Sequence, residues 1–292
     1  MVALVDGLME LRHSVVFREG EFTADLRYVG FDKLYAYGSG GGGAGQHLQD
    51  GSGGAGGGGG GYSEVNDLVL VQGRKYYVFV GVGGTAGTAA TVSAFPYTFV
   101  RGTSGGNGGN SYFGSNEDGV LLRAIGASGG TSADTPVAGV GGDTVAAVGD
   151  VKKYGGNGSL GGNTAGGQPA GGGGGSAGFP TVDGINGGNP LGGATEGESA
   201  GGTAGWRTSA EDIWLIAIAG NFPGGGGGGG APVVRPGDVA GPDSALTSSC
   251  GAAGAHGTVA GIAIALVPSQ PQPLLEEEAA IEGPLASLFA LM

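Results

Sequence analysis

Residues Gly56–Gly84 read GGGGGGYSEVNDLVLVQGRKYYVFVGVGG. The opening glycine run forms neither a stable helix nor a packed strand. It can adopt polyproline II geometry, with three residues per turn and a rise of ~3.1 Å per residue. From Tyr62 onward the sequence is that of strands. Leu68 and Leu70 alternate with Val69 and Val71, and Val78 and Val80 alternate with Phe79 and Gly81. Both faces are apolar, which predicts strands inside a core. The spacing predicts a hairpin of Asn66–Val71 with Lys75–Val82 around Gln72–Gly73–Arg74.

The same alternation of glycine and strand extends in both directions. Toward the N-terminus, Gly40–Gly43 is separated from Gly56–Gly61 by the polar island Gln46–Asp50. His13–Arg18 and Glu21–Tyr28 read as strands flanking a turn at Glu19–Gly20, and Lys33–Tyr37 as a third strand. Met1–Leu11 reads as a short helix or an extended arm. Toward the C-terminus, Thr91–Arg101 reads as a strand with Pro96 marking an edge or bulge. Asn110–Phe113 and Val120–Ile125 form a further strand pair. Gly126–Gly205 is mostly Gly, Ala, Asn and Thr. Asp212–Ala219 is an apolar strand, Gly224–Gly230 another glycine run, and Thr258–Val267 a last apolar strand. Pro268–Pro273 is a Pro/Gln linker, Leu274–Glu282 is helix-like, and Gly283–Pro284 breaks it.

The expected fold is all-β. A small antiparallel sheet or sandwich carries extended, polyproline II-like glycine-rich segments and little helix. Three regions are expected: residues 1–38 as an N-terminal β assembly or attachment segment, 39–268 as a glycine-rich β domain, and 269–292 as linker and apolar tail. The tail reads either as a disordered end or as a segment that docks in a groove on a neighbouring subunit, the latter favoured because an apolar end is a poor solvated terminus.

Glycine supplies 74 of the 292 residues. Disordered chains are poor in apolar residues and rich in charge; here 39% of residues are hydrophobic and 13% charged, and mean hydropathy is +0.10. The composition therefore points to an ordered object. Ordering each glycine costs roughly 0.5–1 kcal/mol more than ordering alanine. With no side chains to bury, the offset has to come from close backbone approach, through amide hydrogen bonds, Cα–H···O contacts and dispersion. Helices of bare backbone lying side by side and bonded laterally would supply it. Collagen is excluded, because the Gly-X-Y phase is broken and proline supplies only 13 residues.

A net charge of −13 argues against a nucleic-acid surface. The lone Cys250 permits no intrachain disulfide. Asp6, Glu10, Arg12 and His13 interrupt any secretory h-region, and no run of ~18 apolar residues predicts a membrane span. G-x-S-x-G occurs at Ser104, Ser128 and Ser176, but in a chain this rich in glycine such matches arise by chance, and none has the strand–turn–helix context of a nucleophile. His13, His47 and His256 share no metal-ligand spacing, and no G-K-[ST] follows a glycine run. Glu196, Glu198, Glu211 and Asp212 are paired carboxylates only by proximity to Trp206 and Trp214. No cofactor and no catalysis are expected. A binding surface would be carried by aromatics on glycine-rich loops, with Tyr112, Tyr154, Phe179, Trp206 and Phe222 as candidates for receptor binding. The bland alternative for each is a ring packed as a cap over glycine backbone.

The chain resembles the glycine-rich domain of bacteriophage tail and fibre proteins. The resemblance rests on YAYGSGGGG at Tyr35–Gly43, on Gly56–Gly84, on GGNSYFGSNEDGVLLRAI at Gly108–Ile125, on Gly224–Gly230 and on GTVAGIAIALV at Gly257–Val267. It spans about residues 21–268. It implies a virion component made in the host cytoplasm, a homotrimer at a fibre or tail tip, with a role in host attachment. Its partners would be host surface glycan or protein and, through both termini, other virion proteins, with no nucleic acid and no membrane insertion. A head fibre, capsid decoration or other virion scaffold subunit is the alternative, and a cellular surface or matrix protein a third.

Overall fold

A computed structural model describes residues 4–5, 8–23, 28–45, 53–89, 91–93, 98–133, 135–163, 169–188, 200–204, 206–207, 214–215, 217–230, 246–247 and 250–268. The expected docking tail and its helix-like Leu274–Glu282 lie outside these residues, as do Gln46–Asp50. Of the expected strand Asp212–Ala219, the described residues form a strand only at Trp214–Leu215, and Ile218 bonds to Thr203 in the glycine array instead. No helix occurs among the described residues, and the fold is all-β.

Two antiparallel sheets form a sandwich. The first runs β1 (Leu4–Val5), β2 (Leu8–Val16), β17 (Thr258–Pro268), β4 (Tyr28–Tyr37), β5 (Tyr62–Val69), β11 (Val151–Lys153). The second runs β10 (Gly119–Ala124), β9 (Ser111–Ser115), β6 (Lys75–Phe79), β3 (Gly20–Thr23). Alternate residues of each strand meet between the sheets. Phe31, Leu34, Ala36, Val259 and Ala263 face Tyr76, Val78, Phe113, Leu122 and Ala124, all buried. Phe113 is the hub: Phe31 meets it edge-on at 5.8 Å, and Tyr76 stacks on it at 5.2 Å.

The expected hairpin of Asn66–Val71 with Lys75–Val82 does not form. β5 pairs with β4 and β11, while β6 pairs with β3 and β9. The intervening residues instead cross from one sheet to the other. Leu70 is buried and donates its N–H to Val29 O, the N–H of Val71 donates to Tyr76 Oη, and Gly73 takes a φ of 77°. A two-stranded ribbon is marginal alone; giving each stretch its own sheet buries Leu70, Tyr76 and Val78 between the sheets, while Val69, Val71 and Phe79 stay exposed, so the expected burial of both apolar faces does not hold. The strands flanking Glu19–Gly20 are parted in the same way, β2 joining β17 and β3 joining β6. The alternatives for Met1–Leu11 resolve to extended structure where it is described, in β1 and β2. Thr91–Arg101 is two strands, β7 (Thr91–Ser93) and β8 (Thr98–Val100), paired antiparallel. The expected pair of Asn110–Phe113 with Val120–Ile125 is present as β9 and β10.

Beyond the sandwich the glycine-rich segments form an array of parallel and antiparallel rods. Rod 38–45 shows the rule. Gly38, Gly41 and Ala44 donate to Gly61, Gly58 and Ala55; Ser39, Gly42 and Gly45 donate to Gly109, Gly106 and Thr103; Gly40 and Gly43 donate to Ala255 and Ala252. Its carbonyls follow the same period, accepting from Gly84 and Gly87, from Ala127 and Gly130, and from Gly227 and Gly230. A β-strand would bond with period two. A period of three, each turn reaching three donor-side and three acceptor-side neighbours, is polyproline II packed hexagonally.

The position of each rod explains its sequence. Rods 38–45, 53–61 and 224–230 are bonded to others on every side. In such a rod every residue points at a neighbour. A Cβ on Gly41 would lie 2.0 Å from Ser128 O, on Gly57 2.1 Å from Gly41 O, and on Gly227 2.0 Å from Ala252 O. In a perimeter rod one residue in three points outward and can carry a side chain. Hence the longest glycine runs occupy the interior, and valines, asparagines and serines sit at every third position of the rim. A net bond of about 0.5–1.5 kcal/mol per amide is of the size needed to offset glycine's extra ordering cost.

Candidate functional site

The rods have two ends. One end feeds the sandwich: residue 38 follows β4, residue 61 precedes β5, and residue 257 precedes β17. At the opposite end the chain forms two small sheets. One runs β12 (Gly162–Asn163), β13 (Pro169–Ala170), β14 (Trp206–Arg207), β15 (Trp214–Leu215); the other runs β16 (Leu246–Thr247), β7, β8. These strands join segments remote in sequence at one tip. Trp206 is in register with Leu215 and Ala170, and Arg207 with Trp214.

The five aromatics singled out from sequence are not gathered into one site. Trp206 is at the tip. Tyr112 lies on the outer face of the second sheet, its ring stacked on Phe79 at 5.1 Å and 3°. Tyr154 is exposed where a rod leaves β11, and its N–H donates to Asp183 Oδ1 at 3.0 Å. Phe222 is exposed at a turn between rods at the sandwich end, before a cis bond to Pro223. Phe179 packs edge-on against Tyr37, with ring centroids 6.1 Å apart.

Phe179 belongs to a second cluster, on the outer face of the first sheet. Tyr37 meets Tyr62 at 5.0 Å, Tyr35 stacks near Tyr62 at 6.2 Å, and Ala177 lies over them. Glu64 is buried here. It accepts a short hydrogen bond from Tyr62 Oη and pairs with Lys33 Nζ at 3.1 Å. Burial, reinforced by the bond to Glu64, pushes the Tyr62 phenol well above the usual tyrosine range, and burial beside Tyr35 and Glu64 does the same to Tyr37. This network fastens the sheet to the array. Sequence reasoning missed it, although the alternation of Tyr62 and Glu64 on one strand face was the available signal.

The three G-x-S-x-G serines have structural employment. Ser104 Oγ accepts from Ser132 N at 3.0 Å, Ser128 Oγ from Val140 N at 2.7 Å, and Ser176 Oγ from Ile185 N at 2.7 Å. Each caps an amide of a neighbouring rod. Asparagines act alike. Asn107 Oδ1 accepts from Gly129 N and Asn110 Oδ1 from Gly126 N, so Ser104, Asn107 and Asn110 form a ladder at three-residue spacing. Among the described residues no cluster of three or more His, Cys, Asp or Glu could hold a metal ion, and no helix is long and apolar enough to cross a membrane.

A glycine-rich domain family matches residues 19–263, from the approach to β3 into β17. The chain belongs to this glycine-rich domain family. The match covers the array and most of the sandwich, leaving out β1, β2 and the end of β17, so within it sheet strands and rods alternate along the chain. No curated protein matches the chain.

Proposed function

We propose that this glycine-rich domain protein is a phage virion structural protein, a tail-fibre or tail-tip component for host attachment. One observation carries the reading. A rigid array, bonded through backbone amides, brings strands from residues 91–100, 162–170, 206–215 and 246–247 to a single end remote from the sandwich. Such a design separates support from recognition. The rods fix where the tip loops start and finish, and the loops themselves can vary without disturbing the packing. Trp206, Arg207 and Trp214 in neighbouring registers supply residue types that anchor binding sites. The ligand class is host surface glycan or protein, and the reading includes no catalytic step.

The test is adsorption. Labelled full-length chain is applied to a panel of bacterial strains, alongside a variant with residues 208–213 replaced by a Gly/Ser linker. Retention on particular strains, lost in the variant, supports attachment. Failure to adsorb to any strain on which the parent particle plates removes it.

The scaffold reading keeps one observation in its favour. β1 pairs with β2 only at Leu8 and Met9, so the rest of that outer edge carries no further strand among the described residues. A strand from another virion protein could extend the sheet there. Immunogold labelling of the particle distinguishes the two positions.

A further inference from the structure

Rods 137–142, 154–161 and 183–188 form a flat outer wall of the array. Rod 154–161 bonds to 137–142 on one side (Gly155 N to Gly142 O, Gly158 N to Gly139 O) and to 183–188 on the other (Gly184 N to Tyr154 O, Gly187 N to Asn157 O). Behind it lie rods 53–61 and 171–178. In hexagonal packing those four neighbours fill consecutive positions over half a turn, so the three rods lie in one row and the remaining half faces out.

Three features set this wall apart. First, it gathers exposed apolar residues: Val137, Val140, Tyr154, Leu160, Val182 and Ile185 are all exposed, Val140 by 58% and Ile185 by 50%, with exposed Asn157, Asp183 and Asn186 between them. An apolar face of this kind on a soluble protein marks a contact surface. Second, its outward amides already have acceptors. Val140 N is bonded by Ser128 Oγ, Gly141 N by Asn157 Oδ1, Tyr154 N by Asp183 Oδ1, Asn157 N by Asn186 Oδ1 and Ile185 N by Ser176 Oγ. Covering the wall would strand none of these N–H groups, which removes the usual penalty for burying backbone. Third, residues 137–142, 154–161 and 183–188 carry a single charged residue, Asp183, whose carboxylate already accepts the Tyr154 N–H, in a chain of net charge −13.

We propose that a second copy of this chain seats on this wall. The period selects the occupant. Outward side chains recur every third residue, roughly 9 Å apart along each rod. A wall with the same repeat interleaves with it along its length, whereas a helix or strand surface falls out of step. Charge favours it too, since two strongly acidic copies approach with less repulsion where each presents a single carboxylate, Asp183, than across their more charged surfaces. The inference stands on the wall itself, and its test is independent of host attachment.

The experiment is sedimentation equilibrium of the full chain with Cys250→Ser, compared with the same chain carrying Val140→Asp plus Ile185→Asp, and with Val82→Asp, an exposed position away from the wall. Circular dichroism melts confirm that each variant folds. The parent should sediment at a multiple of 27.9 kDa. The wall variant should weaken association by about thirtyfold or more, as loss of anchor side chains does, and Val82→Asp should leave it unchanged. Should the wall variant not fold, Val140→Cys in the Cys250→Ser chain should cross-link between copies through a short bis-maleimide, and Val82→Cys should not. A parent that stays at 27.9 kDa at all concentrations, an oligomer indifferent to the wall substitutions, or cross-linking at Val82 alone each overturns the proposal.

Discussion

The amide of Gly81 donates to Ser111 Oγ at 3.0 Å, where the chain passes from β6 into the array and from the array into β9. Ser111 is fully buried. Close by, Gly257 N is shared between Gly81 O and Ser39 Oγ. The two serines stitch the joint at which period-two pairing becomes period-three packing. Ser111→Ala should destabilise by about 1–3 kcal/mol, the cost of leaving a buried donor without its acceptor. Ser39→Ala should cost less, about 1 kcal/mol, because Gly257 keeps its bond to Gly81. Urea unfolding of the two variants would reverse this order if the joint were solvated.

Interior glycines tolerate no side chain. Gly57→Ala and Gly227→Ala each place a methyl about 2 Å from a carbonyl oxygen held by other rods. Overpacking ordinarily costs about 1–3 kcal/mol, and here the obstructing atoms are backbone on every side, so values at or above the top of that range are expected. Val140→Ala, on the rim, should change stability by no more than about 0.5 kcal/mol. Thermal melts of the three variants decide the matter.

The Ser104, Asn107 and Asn110 ladder gives a local readout. Asn107→Ala and Asn110→Ala should lose about 0.5–1.5 kcal/mol each. Amide exchange should accelerate at Gly129 in the first variant and at Gly126 in the second, while Gly41 and Gly57 stay protected. Equal acceleration throughout the array would mean that the rods open as one unit.

The Tyr62–Glu64 pair predicts an alkaline limit. A phenol whose folded pKa is raised stabilises the fold fully below the unfolded value near 10, and that contribution is lost as pH climbs toward the folded value. The melting temperature should therefore fall from about pH 10 upward. Tyr62→Phe should melt lower at neutral pH, having removed a partner from buried Glu64, yet show a shallower alkaline decline. Parallel curves for the two proteins would assign the decline to other groups.

Acid should act at the rim of the sandwich. Arg74, bonded to Asp118, together with the Ser115 hydroxyl, holds the Asp118 carboxyl below its usual range. A carboxylate with a depressed folded pKa stabilises the fold above its unfolded value and loses that contribution as pH falls through the folded one. Asp118→Asn should flatten the stability loss below pH ~4, with a small effect because the pair is exposed.

Much of the sheet was legible from the chain. The stretches read as strands at Asn110–Phe113, Val120–Ile125 and Thr258–Val267 are strands, observed at Ser111–Ser115, Gly119–Ala124 and Thr258–Pro268, and the threefold character of the glycine runs is a matter of stereochemistry alone. Pairing was less legible. Asn66–Val71 and Lys75–Val82 carry a hairpin's signals, and nothing local says that each belongs to a different sheet; Val29 and Tyr76, distant from the turn or beyond it, make that choice. The candidate aromatics were scattered for the same reason. Composition shows that Tyr112, Tyr154 and Phe222 leave glycine-rich sequence, but which end of a rod they reach depends on the direction in which the chain threads the array.

The array also sets how the protein should respond to temperature. Unfolding an ordinary domain raises heat capacity by roughly 12–15 cal/mol/K per residue, since exposed apolar surface adds to it and exposed amide subtracts. Here much of what unfolding uncovers is peptide backbone, so the increment per residue should fall well below that range. Its curve of free energy against temperature should then be broad and shallow, with cold weakening it little.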